Sequence, residues 1–276
     1  MSDYERLLTE IKVALPLKKV PLVHCITNEI TCETMANALL YVNGKPLMAD
    51  DPQEFPEFFA QNDSLLLNMG HISPEKVTAL VAGATFAQQT KTPAVLDLVG
   101  VSATKLRYEL AWEITKKQPA VIKGNLSEMR AFCGLASKAR GVDASFEDQT
   151  TKALAELKAV MEKVARKYQV VLLATGPTDL VVASESSYTL SNGVPQLDRF
   201  TGSGDLLGAI IAALLGSGVS ALASAVTGVS YLNLCGEQAK EALGLGAFRS
   251  ETLNQLSLLM DTKWWQQIRR QPSETD

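Results

Sequence analysis

The sequence predicts an α/β fold with a mostly parallel central sheet covered by helices on both faces. Three observations carry this reading. Short apolar, β-branched runs of strand length recur along the 276 residues. Segments with helical spacing separate them. Polar or glycine residues follow most of the apolar runs. Strands alternating with helix-length segments make βαβ units, which pair in parallel and bury both sheet faces.

In chain order, 20–26 reads as a buried strand and 31–42 as a helix. Residues 46–49 and 65–69 read as strands, the second ended by Gly70. A helix over 74–89 opens with Ser73 as N-cap and Pro74 in its first turn. A strand at 93–97, a helix at 104–117 and a strand at 120–123 follow. The strongest periodicity lies in 151–168. There Leu154, Leu157, Met161, Val164 and Tyr168 recur every three or four residues, and Lys and Glu fill the other face. Residues 170–175 read as a buried strand, 180–183 and 187–190 as a short antiparallel pair, and Asn192-Gly193 as a turn. Apolar helices begin at Asp205. Residues 137–149 are expected to form a surface loop, and the polar tail from Gln271 to fray.

Composition narrows the function. Hydrophobic residues make up 46%, enough for a full core. With no linker, repeat or low-complexity tract, 1–276 reads as a single domain. A net charge of −4 and a pI near 5.4 argue against nucleic-acid binding. Cys25, Cys32, Cys133 and Cys235 include no CxxC pair and read as reduced thiols of a cytoplasmic protein. Two histidines, His24 and His71, cannot build a His-rich metal site; His24 lies in an apolar run and reads as a satisfied core or wall residue. The charged start lacks the apolar stretch of a secretory leader. Residues 206–236 carry no charge. Gly216-Ser217-Gly218 interrupts them, so two buried helices fit better than a membrane span.

In open α/β sheets ligands bind beyond the carboxyl ends of the strands, and four such places stand out. Thr201-Gly202-Ser203-Gly204-Asp205 stands before an apolar helix. Glycines there expose backbone N–H groups at a helix N-terminus, a place for a phosphoryl group, and Asp205 can take a proton from a hydroxyl. No Walker lysine follows. Asn125-Leu126-Ser127-Glu128 can serve a water-coordinated Mg²⁺ or simply cap a helix. Asp97 ends a buried strand, and Thr175-Gly176 ends another. Each of these last two also fits an ordinary turn.

Val23-His24-Cys25-Ile26-Thr27-Asn28, with Thr31 and Ala36-Asn37 after it, resembles the hydroxyethylthiazole kinases of thiamine salvage, within the ribokinase-like superfamily. Pro46-Leu47-Met48, Leu96-Asp97, Lys123-Gly124-Asn125, Thr175-Gly176 and Thr201 to Asp205 extend the likeness from about residue 21 to 236. The resemblance implies a ribokinase-like fold and transfer of the ATP γ-phosphoryl group to 4-methyl-5-(2-hydroxyethyl)thiazole. It implies thiazole contacts from Met48 and Gly202 with Asn28 nearby, and ATP contacts from Lys123 and Thr175. Asp97 and Glu128 would organise Mg²⁺; the glycine pattern at the helix start independently assigns the N–H groups of Gly202, Ser203, Gly204 and Asp205 to an anion hole. The resemblance also implies a homotrimer with sites between subunits.

The chain departs from the family pattern in places. Asp205 stands where the family usually has Cys, and an aspartate is ionised at neutral pH whereas a cysteine thiol is mostly protonated. Lys123 replaces a usual Arg, keeping the charge but losing the bidentate fork. Leu98 replaces a usual Pro, and Glu29 adds a carboxylate beside Asn28. Three other readings stay open: a kinase for another hydroxylated heterocycle, an ATP-dependent NAD(P)H-hydrate dehydratase, and a non-catalytic ligand sensor.

Overall fold

The computed structural model describes residues 2–136 and 150–271. The loop expected at 137–149 and the tail beyond 271 lie outside them. Eight strands form one sheet: β1 (Leu22–Ile26), β2 (Lys45–Met48), β3 (Ser64–Asn68), β4 (Ala94–Asp97), β5 (Val121–Asn125), β6 (Val171–Thr175), β7 (Asp179–Val182) and β8 (Ser187–Leu190). Their order is β2-β1-β3-β4-β5-β6-β7-β8. β1 to β6 are parallel; β7 and β8 are antiparallel, as the short pair predicts.

Period-two alternation divides the core into two layers. Leu66, Val95 and Val121 face one layer; Leu65, Leu67, Leu96 and Ile122 face the other. The first layer is covered by α1 (Asp3–Ile11), α2 (Cys32–Tyr41), α8 (Ser203–Gly216), α9 (Ala221–Ala239) and α10 (Leu245–Leu258). The second is covered by α3 (Phe55–Phe59), α4 (Pro74–Thr90), α5 (Lys105–Thr115), α6 (Leu126–Phe132) and α7 (Thr151–Tyr168). Burial on both faces is why the strands read as unbroken apolar runs.

The uncharged stretch becomes α8 and α9, parted at Ser217-Gly218, where Gly218 takes φ +91°. Among the described residues no helix is long and apolar enough to cross a membrane. α4 starts as its signals demand, with the Ser73 hydroxyl accepting from Lys76 N at 3.1 Å and Pro74 at the first position. Asn192-Gly193 does not close a hairpin. The Asn192 side chain instead donates to Gln267 O (3.1 Å) and accepts from Arg269 N (2.7 Å), pinning a C-terminal segment beside β8. The partner of that turn comes from 75 residues away, beyond the reach of local pattern.

Candidate active site

The parallel register assembles the site. Asn68 of β3 pairs with Asp97 of β4, and Asp97 with Lys123 of β5. Each lies two residues beyond Leu66, Val95 or Val121, so all three side chains leave the sheet on the face covered by α8. The amino end of α8 lies over this row. A Cβ on Gly208 would stand 3.5 Å from Asp97 Oδ2, and one on Gly204 would stand 3.6 Å from Lys123 Nζ. The lysine ammonium therefore lies against the first turn of α8, where the helix N-terminus also favours anions.

Asp205, on that turn, is held by three donors. Asn68 Nδ2 donates to Oδ1 at 2.8 Å. Asn28 Nδ2 and Thr31 Oγ1 donate to Oδ2 at 3.0 and 2.5 Å. A carboxylate offers about four acceptor positions, so one on Oδ1 is left for an incoming hydroxyl. Asn68 also accepts from Asn28 Nδ2 (3.1 Å) and Gly70 N (2.8 Å), and its second hydrogen points at Asp97 Oδ2 (3.4 Å). Asp97 Oδ2 bonds Lys123 Nζ at 2.8 Å, an ion pair with both side chains buried. Burial raises the Asp97 carboxyl, while Lys123 pulls it back down and Asp205 adds to the rise.

Gly202 is required on two counts. Its φ is +89°, and a Cβ there would lie 2.4 Å from Thr31 Cγ2. Its turn lets Thr31 reach Asp205. The anion hole is smaller than the sequence predicts. Ser203 N donates to Phe200 O (3.0 Å) and the Ser203 hydroxyl to Leu197 O (3.0 Å), so Ser203 latches the preceding turn and offers no donor. Leu206 N donates to Gly202 O. The N–H groups of Gly202, Gly204 and Asp205 make no bond to a described residue.

Two further expectations change. Asn28 donates both amide hydrogens, to Asn68 and Asp205, and its oxygen accepts from Thr31 N. It positions Asp205 and has no donor left for a substrate. Glu128 realises the capping alternative. Oε2 accepts from Asn125 N and Oε1 from Gly100 N, each at 2.8 Å, while Asn125 Oδ1 accepts from Glu128 N at 2.8 Å. Burial raises the Glu128 carboxyl, and these two N–H groups oppose the rise. Each of its oxygens keeps one lone pair for a further contact.

Met48 ends edge strand β2, half-buried against the core layer under α8. Thr175 ends β6, its hydroxyl near Gly124 O at 3.4 Å. His24 is a core residue, fully buried, boxed by Phe55, Phe58 and Phe59 and bonded through Nε2 to Ala49 O.

The donor set fits a divalent cation brought in with phosphates. The carboxylates of Asp97, Glu128 and Asp205 outnumber the Lys123 ammonium and the Arg107 guanidinium acting on Glu128. Among the described residues no cluster of acidic, His or Cys side chains is arranged to ligate a metal directly. An ion there would be held through water and phosphate oxygens.

Sequence reasoning missed Asn68, Thr31 as a donor, and Arg107. Arg107 Nη1 donates to Met69 O and to Val99 O (2.8 Å), fastening the loops after β3 and β4. A polar residue closing the run Leu65-Leu66-Leu67 was the available signal for Asn68. Arg107 gave none, because a surface-like arginine early in a helix is unremarkable.

Comparison with known proteins agrees with this architecture. The sequence profile of the Hydroxyethylthiazole kinase family matches residues 15–262. A hydroxyethylthiazole kinase of Lacticaseibacillus casei (strain BL23) is 56% identical over 264 residues, 94% of each chain. The solved structure of a hydroxyethylthiazole kinase protein from Pyrococcus horikoshii OT3 superposes with a TM-score of 0.83 at 26% identity, covering 97% of this chain and all of that one. A ribokinase-like superfamily protein from Enterococcus faecalis V583 shares the fold at TM-score 0.60 and 14% identity, over 94% of each chain. The chain therefore has a ribokinase-like fold and belongs to the hydroxyethylthiazole kinase family.

Proposed function

We propose that this kinase transfers the γ-phosphoryl group of ATP to the hydroxyl of 4-methyl-5-(2-hydroxyethyl)thiazole, in thiamine salvage, with Asp205 as general base. The observation that carries the reading is Asp205 itself. Three donors fix its carboxylate and leave one acceptor position on Oδ1, in the same first turn of α8 that the Lys123 ammonium lies against at Gly204. Phosphoryl transfer needs in-line positioning and charge stabilisation more than covalent help. Asp205 takes the proton of the acceptor hydroxyl. The N–H groups of Gly202, Gly204 and Asp205, with Lys123, hold the transferring group. Thr175 contacts the nucleotide, and Met48 and Gly202 border the acceptor. Mg²⁺, held through water by Asp97 and Glu128, supplies neutralising charge to the phosphates when bound.

The proposal extends to one kinase domain over 1–276, acting in the cytoplasm as a homotrimer with its sites between subunits. Ile30, two residues past Asn28, is 76% exposed, an apolar side chain that a neighbouring subunit would cover.

The test follows ATP consumption with Mg²⁺ against a panel of hydroxylated heterocycles, reading the product by mass. The thiazole alcohol is expected to be phosphorylated best. Asp205→Asn is expected to lower kcat by about 10²-fold or more. No phosphorylated alcohol from any member of the panel overturns the reaction. A variant within about twofold of wild type overturns the role of Asp205.

A further inference from the structure

The ladder between β1 and β2 ends at Cys25 and Met48. Beyond it the two chains continue as Thr27-Asn28 and Ala49-Asp50, and no strand bond joins them. Lys76 joins them instead. From the first turn of α4 its ammonium donates to Thr27 O at 2.7 Å and to Asp50 Oδ2 at 2.5 Å. Its side chain is only 12% exposed, while that of Asp50 is 56% exposed. A second group grips the same extension from the sheet side. His24 Nε2 bonds Ala49 O at 2.8 Å, and the ring stands edge-on to Phe55, Phe58 and Phe59 at 5.3, 5.5 and 5.7 Å. That packing holds the imidazole in one orientation.

We infer that Lys76, backed by His24, is a positioning residue that sets the separation of Asn28 and Met48 and so the width of the acceptor pocket. The inference rests on the acceptor site proposed above. Asn28 carries Asp205 at one wall, and the acceptor site proposed above puts Met48, the last residue of β2, at the other. Releasing the Lys76 tie lets the Ala49-Asp50 segment move relative to Thr27-Asn28. The acceptor then binds in a wider site, while the nucleotide end, built on β5, β6 and α8, is untouched. This accounts for the His in the Val-His-Cys-Ile-Thr-Asn segment without giving it any part in proton transfer.

Steady-state kinetics of Lys76→Met, His24→Gln and His24→Leu, with ATP and the thiazole alcohol each varied, test this. Lys76→Met is expected to raise the alcohol KM about tenfold or more and leave the ATP KM within about twofold. His24→Gln keeps a side-chain N–H for Ala49 O and is expected to stay near wild type; His24→Leu is expected to follow Lys76→Met. Should Lys76→Met not fold, Asp50→Asn, at an exposed carboxylate, weakens the same tie and is expected to shift the alcohol KM in the same direction. An alcohol KM within about twofold of wild type, or equal changes in both KM values, overturns the inference. A wild-type enzyme that turns over no alcohol fails earlier, and overturns the proposed reaction together with this inference.

Discussion

Replacing Asn68 by Ala removes the amide that joins the carboxylates of Asp97 and Asp205. Four hydrogen bonds go with it. The short bond to Asp205 Oδ1 (2.8 Å) is charge-assisted, and the contact with Asp97 (3.4 Å) is long and weak. The Asn28 amide and Gly70 N lose an acceptor in a buried setting. A hydrogen bond to a charged group contributes about 1.5–3 kcal/mol. Asp205 would keep Asn28 and Thr31 on Oδ2, but Oδ1, the oxygen with the open acceptor position, would lose its only protein donor among the described residues. If that loss falls on the transition state, kcat drops by about 10- to 150-fold. The ATP KM should stay near wild type, because Lys123 keeps its bond to Asp97. Stopped-assay product formation with both substrates varied gives the two constants, and thermal unfolding reports the folding cost separately. A kcat within about twofold of wild type would show that Asn68 does not orient the reacting carboxylate, and the derivation from the three-strand row would fail.

Two other predictions follow from the same geometry. Gly202→Ala combines a left-handed φ with a 2.4 Å approach to Thr31 Cγ2; it is expected to cost about 1–3 kcal/mol or more of stability and most of the activity, read by unfolding and turnover. For Asp97, burial raises the folded-state value to about 7 from 3.8. The folded state thus holds a proton in that window that the unfolded chain has lost, and this group's contribution to stability falls as pH rises between those values. Asp97→Asn is therefore expected to lose less Tm between pH 5 and about pH 8 than wild type, and an equal loss in both would refute the assignment.

The sequence by itself determined the layers and the ends of the strands. Unbroken apolar runs such as Leu65-Leu66-Leu67 and Val170 to Ala174 have no solvent face to alternate with, so they read as parallel strands covered on both sides. Asp97, Thr175 and Gly202 to Asp205 stood out as candidates because chemistry in such sheets collects where strands stop, and Lys123 entered only through the family resemblance. Gly202 and Gly204 pointed to a turn that needs bare backbone.

What only the tertiary structure decided is which donor meets which acceptor. Asn28, Thr31 and Asn68 reach Asp205 across 177, 174 and 137 residues of chain, a distance no local period encodes. The same contacts turned Asn28 from a substrate contact into a support and spent Ser203 on Phe200 and Leu197. They also committed Glu128 to Asn125 and Gly100. A side chain's composition says how many hydrogen bonds it can make; only the packed fold says how many are left for a substrate.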